Sequence, residues 1–157
     1  MSMKTQVKEE ASPRKPAANT TEREVFLQVQ RTADWLMRDL EELLKPAGLS
    51  ATQYNVLRIL RGGGSSGLAC HQIAEQMLTR DPDMTRLLDR LEQRALISRT
   101  RESSDRRVIR TCITPEGMKL LKRLDEPVRA LHRRQLSHLG GARLKQLAQL
   151  LDAAREA

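Results

Sequence analysis

Apolar residues recur at helical spacing along most of the chain, and the breaks between periodic stretches mark out the elements. Val25, Val29, Ala33, Leu36, Leu40 and Leu43 are three or four apart, which predicts a long helix from about Thr21 to Lys45. Thr20 or Thr21 can cap it, Glu22 and Glu24 suit its positive end, and Pro46 and Gly48 stop it. Ser50-Ala-Thr-Gln53 has capping-box spacing and opens a second helix with Tyr54, Leu57 and Leu60 on its apolar side. Gly62-Gly-Gly-Ser-Ser-Gly67 breaks it. That run is too short to separate domains and lacks the Lys-Ser/Thr ending of a phosphate-binding loop. A short helix from about Ala69 to Met77 follows, then the four-residue break Leu78-Thr-Arg-Asp81. Asp81 as N-cap and Pro82 as first helical residue begin a helix extending to about Ala95.

The period then changes. Leu96–Arg101 and Val108–Ile113 are rich in β-branched residues, and Glu102-Ser-Ser-Asp-Arg106 between them is turn chemistry, so a hairpin is predicted. Thr114-Pro115 caps another helix reaching about Ser137, with Met118, Leu121, Leu124, Val128 and Leu131 as its stripe and a kink expected at Pro127. Gly140-Gly141 precedes a last helix carrying Leu144, Leu147, Leu150 and Leu151. Residues 1–19 have no apolar period and read as a disordered, mildly basic tail. The expected fold is mainly α with a small β-hairpin wing. A winged helix-turn-helix spans 49–113, with the helix-turn-helix at about 69–95 and the wing at about 96–113. Long N- and C-terminal helices, 20–46 and 114–157, complete the domain. The stripes over Val25–Leu40 and Leu139–Leu151 exceed what a small winged core needs, which points to burial across a two-fold axis in a homodimer.

Charge narrows the function. The net charge is +8 and the pI about 10.2, which favours a polyanionic partner. Phe26, Trp35 and Tyr54 are the only aromatics. Readers of single strands and RNA stack bases on aromatic side chains, so double-stranded DNA is the better expectation. Two cysteines make no disulfide framework, no signal-peptide pattern opens the sequence, and no apolar run reaches membrane-span length. A cytoplasmic protein is expected.

At 100° per residue, Met84, Leu87, Leu88, Leu91 and Ala95 share one face of the fourth helix. Arg86, Asp89, Arg90 and Gln93 lie opposite, with Thr85 in the first turn placed to hold a phosphate. Arg86 and Arg90 are four apart and project side by side; an arginine reads guanine in the major groove through two hydrogen bonds. Asp83 and Asp89 are alternative partners for Arg86. The hairpin is more strongly basic. Arg99, Arg101, Arg106, Arg107 and Arg110 fall within twelve residues, against Glu102 and Asp105. A stiff hairpin can present such an arginine to a narrow minor groove. Asp105 can hold Arg107 outward, and Ser104 lies beside it at the tip.

Asp105-Arg106-Arg107 resembles the wing signature of MarR-type regulators. It is preceded by Met84-Thr-Arg-Leu-Leu-Asp-Arg-Leu-Glu-Gln-Arg-Ala-Leu-Ile97 and followed by Ile113-Thr-Pro-Glu-Gly117. Gly48-Leu-Ser-Ala-Thr-Gln-Tyr-Asn-Val-Leu57 is similar to the start of that family's second helix. The resemblance runs from about Glu22 onward. It implies a homodimer on a palindromic operator, with 82–95 in the major groove and the 105–107 tip in the flanking minor groove. It also implies a repressor released by a small phenolic or lipophilic effector. One departure is Asp81 and Asp83, where many members carry Ser or Thr; two carboxylates repel phosphate unless they cap the helix or bind arginines.

Sensing leaves fewer marks. Trp35, Leu36, Tyr54 and His132 are candidates for an effector pocket by position. Cys70 and Cys112 allow a redox-responsive alternative, but read better as small buried residues. His71, His132 and His138 have no metal-binding spacing, so no metal or cofactor is expected. No nucleophile elbow or nucleotide loop appears, so an enzyme is not expected. A winged helix serving protein interaction without specific DNA binding is the other alternative; it predicts an apolar or acidic recognition face.

Overall fold

The computed structural model describes residues 21–79, 83–101 and 108–156. The element order is α1 (Glu22–Leu44), α2 (Ala51–Gly62), β1 (Leu68–Ala69), α3 (Cys70–Gln76), α4 (Met84–Gln93), β2 (Ile97–Arg101), β3 (Ile109–Ile113), α5 (Pro115–Leu136) and α6 (Gly140–Ala153). Contacts divide the chain between Asp34 and Trp35. On the first side, the start of α1 is capped by Thr21 Oγ1, which accepts from Glu24 N at 3.4 Å. Val25, Phe26, Leu27 and Val29 are exposed there.

On the second side, one core forms from the apolar faces of α2, α3, α4 and α5. Val56, Leu57, Leu60, Ile73, Leu88, Leu91, Leu121 and Val128 belong to it, with Leu44 from the end of α1. Its local signals are strong. Ser50 Oγ accepts from Gln53 N while Gln53 Oε1 accepts from Ser50 N, both at 3.1 Å, so the capping box is complete. Thr114 caps α5 by accepting from Gly117 N at 3.1 Å. Helix α5 continues through Pro127, which is exposed. Arg61 Nη1 reaches both Asp125 oxygens at 2.9 Å, tying α2 to α5.

The sheet and the bounds of two helices differ from what was expected. The hairpin is part of a three-stranded antiparallel sheet in the order β1-β3-β2. Leu68 and Ala69 pair with Thr111 and Arg110 of β3, so Ala69 ends a strand, and the helix expected from it begins at Cys70. Two residues are too short to show a period of two. The fourth helix also starts later than expected. Asp83, rather than Asp81, is the N-cap, its Oδ1 accepting from Arg86 N at 3.2 Å. Asp81 and Pro82 lie outside the described residues, as does the tail, 1–19. The helix ends at Gln93 instead of Ala95, because Ala95 takes a left-handed φ of 55°.

Candidate nucleic-acid interface

Helix α4 follows the short helix α3, within the span read from the sequence as a helix-turn-helix. Leu87, Leu88 and Leu91 fasten it to the core. That leaves Thr85, Arg86, Arg90 and Gln93 exposed on its outer side. Arg86 Nε lies 3.3 Å from Asp83 Oδ2, and both side chains are largely in water. Asp83 therefore does what the departure required of it: it caps the helix and neutralises part of its neighbour. Arg90 has no hydrogen-bond or ion partner among the described residues. Arg101, at the end of β2, is exposed. Ser104, Asp105, Arg106 and Arg107, the expected wing tip, lie outside the described residues.

Arg99, one of the five arginines counted in the hairpin, does not face outward. Its side chain is only 23% exposed, because it turns back onto α4. Nη2 donates to Asp89 Oδ1 and to Glu92 Oε2, each at 2.5 Å, and Nε donates to Glu92 Oε2 at 2.9 Å. These hydrogen bonds hold the Glu92 carboxyl below its usual range and push the Arg99 guanidinium up. The physical cause is proximity: two carboxylates one helical turn apart on α4 face the strand and attract the nearest cation. Asp89, read from the sequence as a base-facing residue, is thereby held against the wing strand. On β3, Arg110 Nη1 donates to Gln72 Oε1 at 3.3 Å, and that same oxygen accepts from Ala69 N at 2.9 Å. Sequence reasoning missed both ties, since Arg99 and Glu92 are seven apart and Arg110 and Gln72 thirty-eight apart.

The four effector candidates are dispersed by burial. Tyr54 is a core residue, 6% exposed. Burial pushes its phenol up, against the pull of Arg58, whose guanidinium sits 5.9 Å from the ring centroid. Leu36 is half-buried, while Trp35 and His132 are exposed. An open cavity on this side of the chain is lined by Glu41, Glu42, Lys45, Gly48, Leu49 and Ser50, and includes none of the four. Cys70 is also a correction. It is exposed at the first position of α3, not buried; Cys112 is half-buried, with Sγ 3.7 Å from Ser65 O. Strand alternation gives the buried side of β3 to Thr111 instead.

The sequence model of the MarR family matches residues 49–109, from the turn before α2 to the start of β3. The HTH-type transcriptional repressor MdtR of Bacillus subtilis is 32% identical over 127 residues, covering 81% of each chain. The chain belongs to the MarR family. A crystal structure of a MarR transcription factor from Planctomyces limnophilus is 43% identical, covering 87% of this chain and 99% of that one, with a TM-score of 0.67. The S. aureus MepR–DNA complex shares the fold at 22% identity, with a TM-score of 0.74 over 88% of this chain and all of that one. Both likenesses cover more of the chain than the residues 49–109 matched by the family model. Among the described residues no helix is long and apolar enough to cross a membrane.

Proposed function

We propose that this MarR-family regulator is a homodimeric repressor that reads a palindromic operator in double-stranded DNA. The observation that carries this reading is the outer face of α4, where Thr85, Arg86, Arg90 and Gln93 are exposed beside a wing strand ending in Arg101. A major groove admits one helix, and two arginines a helical turn apart can each address a guanine. MdtR, the relative named above, is a repressor, and MepR was crystallised with DNA. A protein-interaction module is not favoured by a recognition face that is basic instead of apolar or acidic.

The dimer is supported by apolar side chains left in water on the terminal helices. In the first unit Phe26 is 62% exposed and Val25 is exposed as well; in the second, Leu150 is 61% exposed, and Trp35, Met37 and Leu147 are exposed. In this reading the wing tip, Ser104 to Arg107, enters the minor groove, as the sequence resemblance implies. A small phenolic or lipophilic effector releases the operator. The protein acts in the cytoplasm and carries out no catalysis.

Selection from a random duplex library, followed by footprinting and a salt titration, tests this function. An enriched palindrome is expected, with affinity falling by about 0.9 log units per log salt for each phosphate neutralised. No enrichment, or no affinity for any duplex in dilute salt, overturns it.

A further inference from the structure

Helix α4 ends at the place where one long helix stops and the other starts. Arg94, its C-cap, donates from Nη1 to Gly48 O at 2.6 Å and from Nη2 to Ala47 O at 2.9 Å. Those carbonyls close the short 3-10 turn, Lys45–Ala47, that continues α1 beyond Leu44. One residue on, Ala95 O accepts from Thr114 Oγ1 at 2.7 Å, and Leu96 O accepts from Thr114 N at 3.1 Å. Thr114 is the N-cap of α5. The approach is close as well as bonded: a Cβ at Gly117 would lie 2.3 Å from Leu96 O. Three consecutive residues, Arg94 to Leu96, therefore bind the end of α1 and the beginning of α5.

We propose that Arg94 is a positioning residue for DNA reading, whose forked contact sets the tilt of α4 and so the register in which Arg86 and Arg90 meet base edges. This rests on α4 being the DNA-reading helix. Arg86 lies eight residues from Arg94, about 12 Å along the axis. Tilting α4 by about 10° about its C-terminal end moves Arg86 by about 2 Å, several times the tolerance of about 0.5 Å for a working site. Base-edge hydrogen bonds are lost by such a shift, whereas attraction to phosphates persists. The forked side chain suits such positioning, because a planar guanidinium meets two carbonyls at once, at the negative end of a helical turn. Arg94 is itself exposed, so its contact is not a condition of the core.

The test uses the full chain and the operator selected above; a wild-type chain that selects no operator sinks the proposed function, a result distinct from the one that follows. Dissociation constants for operator and for random duplex are measured for wild type, Arg94→Ala and Arg94→Lys, with melting curves and dimer mass alongside. For Arg94→Ala, operator affinity is expected to fall about tenfold or more while random-duplex affinity stays within about twofold and keeps its salt slope. Arg94→Lys, able to keep one of the two carbonyl bonds, is expected between the two. Wild-type operator affinity in Arg94→Ala overturns the proposal. So does an equal loss on both duplexes: with a salt slope shallower by about 0.9 it makes Arg94 a phosphate contact, and with a lowered melting temperature it makes Arg94 a fold residue.

Discussion

Arg99 on β2 and Glu92 in the last turn of α4 share one carboxylate oxygen between two guanidinium nitrogens, at 2.9 Å from Nε and 2.5 Å from Nη2. With Asp89 on the same Nη2, this is the main polar tie between the helix that would enter the major groove and the strand that carries the wing. The sheet hydrogen bonds join β2 to β3; the guanidinium joins β2 to α4.

Replacing Arg99 with Met should therefore loosen the wing from the helix. Hydrogen bonds to charged groups contribute about 1.5–3 kcal/mol, and partial exposure of both carboxylates reduces that. A loss of about 1–2 kcal/mol in urea unfolding is expected, with Asp89 and Glu92 left facing each other. An unchanged midpoint would mean that solvent replaces the contact at no cost.

The same pair sets a pH dependence. The Arg99 hydrogen bond depresses the Glu92 pKa in the folded chain. Its stabilisation is present above the unfolded-state value, about 4.3, and fades as the pH falls from there through the depressed folded value. The partner's raised pKa adds stability that is lost only at pH above the arginine range, outside any working condition. Glu92→Gln should thus be less stable than wild type at pH 7, and the gap should close in acid. A gap that stays constant as the pH is lowered well below the unfolded-state value would assign the loss to packing.

Ala95 holds a left-handed backbone, φ 55°, where glycine is unstrained. The left-handed region costs a side-chain-bearing residue about 1–2 kcal/mol, partly offset because glycine loses more chain entropy on folding. Ala95→Gly is expected to stabilise the chain by about 0.5–1 kcal/mol, seen as a melting temperature about 1–4 °C higher. A lower melting temperature would show that the neighbouring contacts require the alanine methyl group.

What the sequence made legible followed from local rules. The capping box at Ser50, the cap at Thr114 and the stripe Leu87, Leu88, Leu91 each depend on residues within one or two turns, and each appears where spacing places it. The exposed outer face of α4 follows from the same period. Strand β1 was not legible, because its two residues pair with partners more than forty positions away. The inward turn of Arg99 was hidden for a similar reason: in the sequence it is one arginine among five, and only the hairpin geometry puts Asp89 and Glu92 within its reach. Arg94 bonds across 46 and 47 residues, and nothing beside it announces the contact.

Arg86 and Arg90 occupy the same face but are held differently, and this separates their expected roles. Arg86 is steadied by Asp83 at 3.3 Å, a partner that limits its freedom before DNA arrives. Arg90 has no such partner among the described residues. Arg86→Lys keeps the charge but loses the two-pronged geometry that fits a guanine edge, so sequence preference should relax by about 1–3 kcal/mol at one base pair of each half-site. Binding to random duplex should change far less, because the phosphate attraction is conserved. Competition between the selected operator and single-base variants reads this directly. If Arg86→Lys discriminates among the variants as wild type does, Arg86 holds a phosphate, and base reading on this face falls to Arg90 and Gln93.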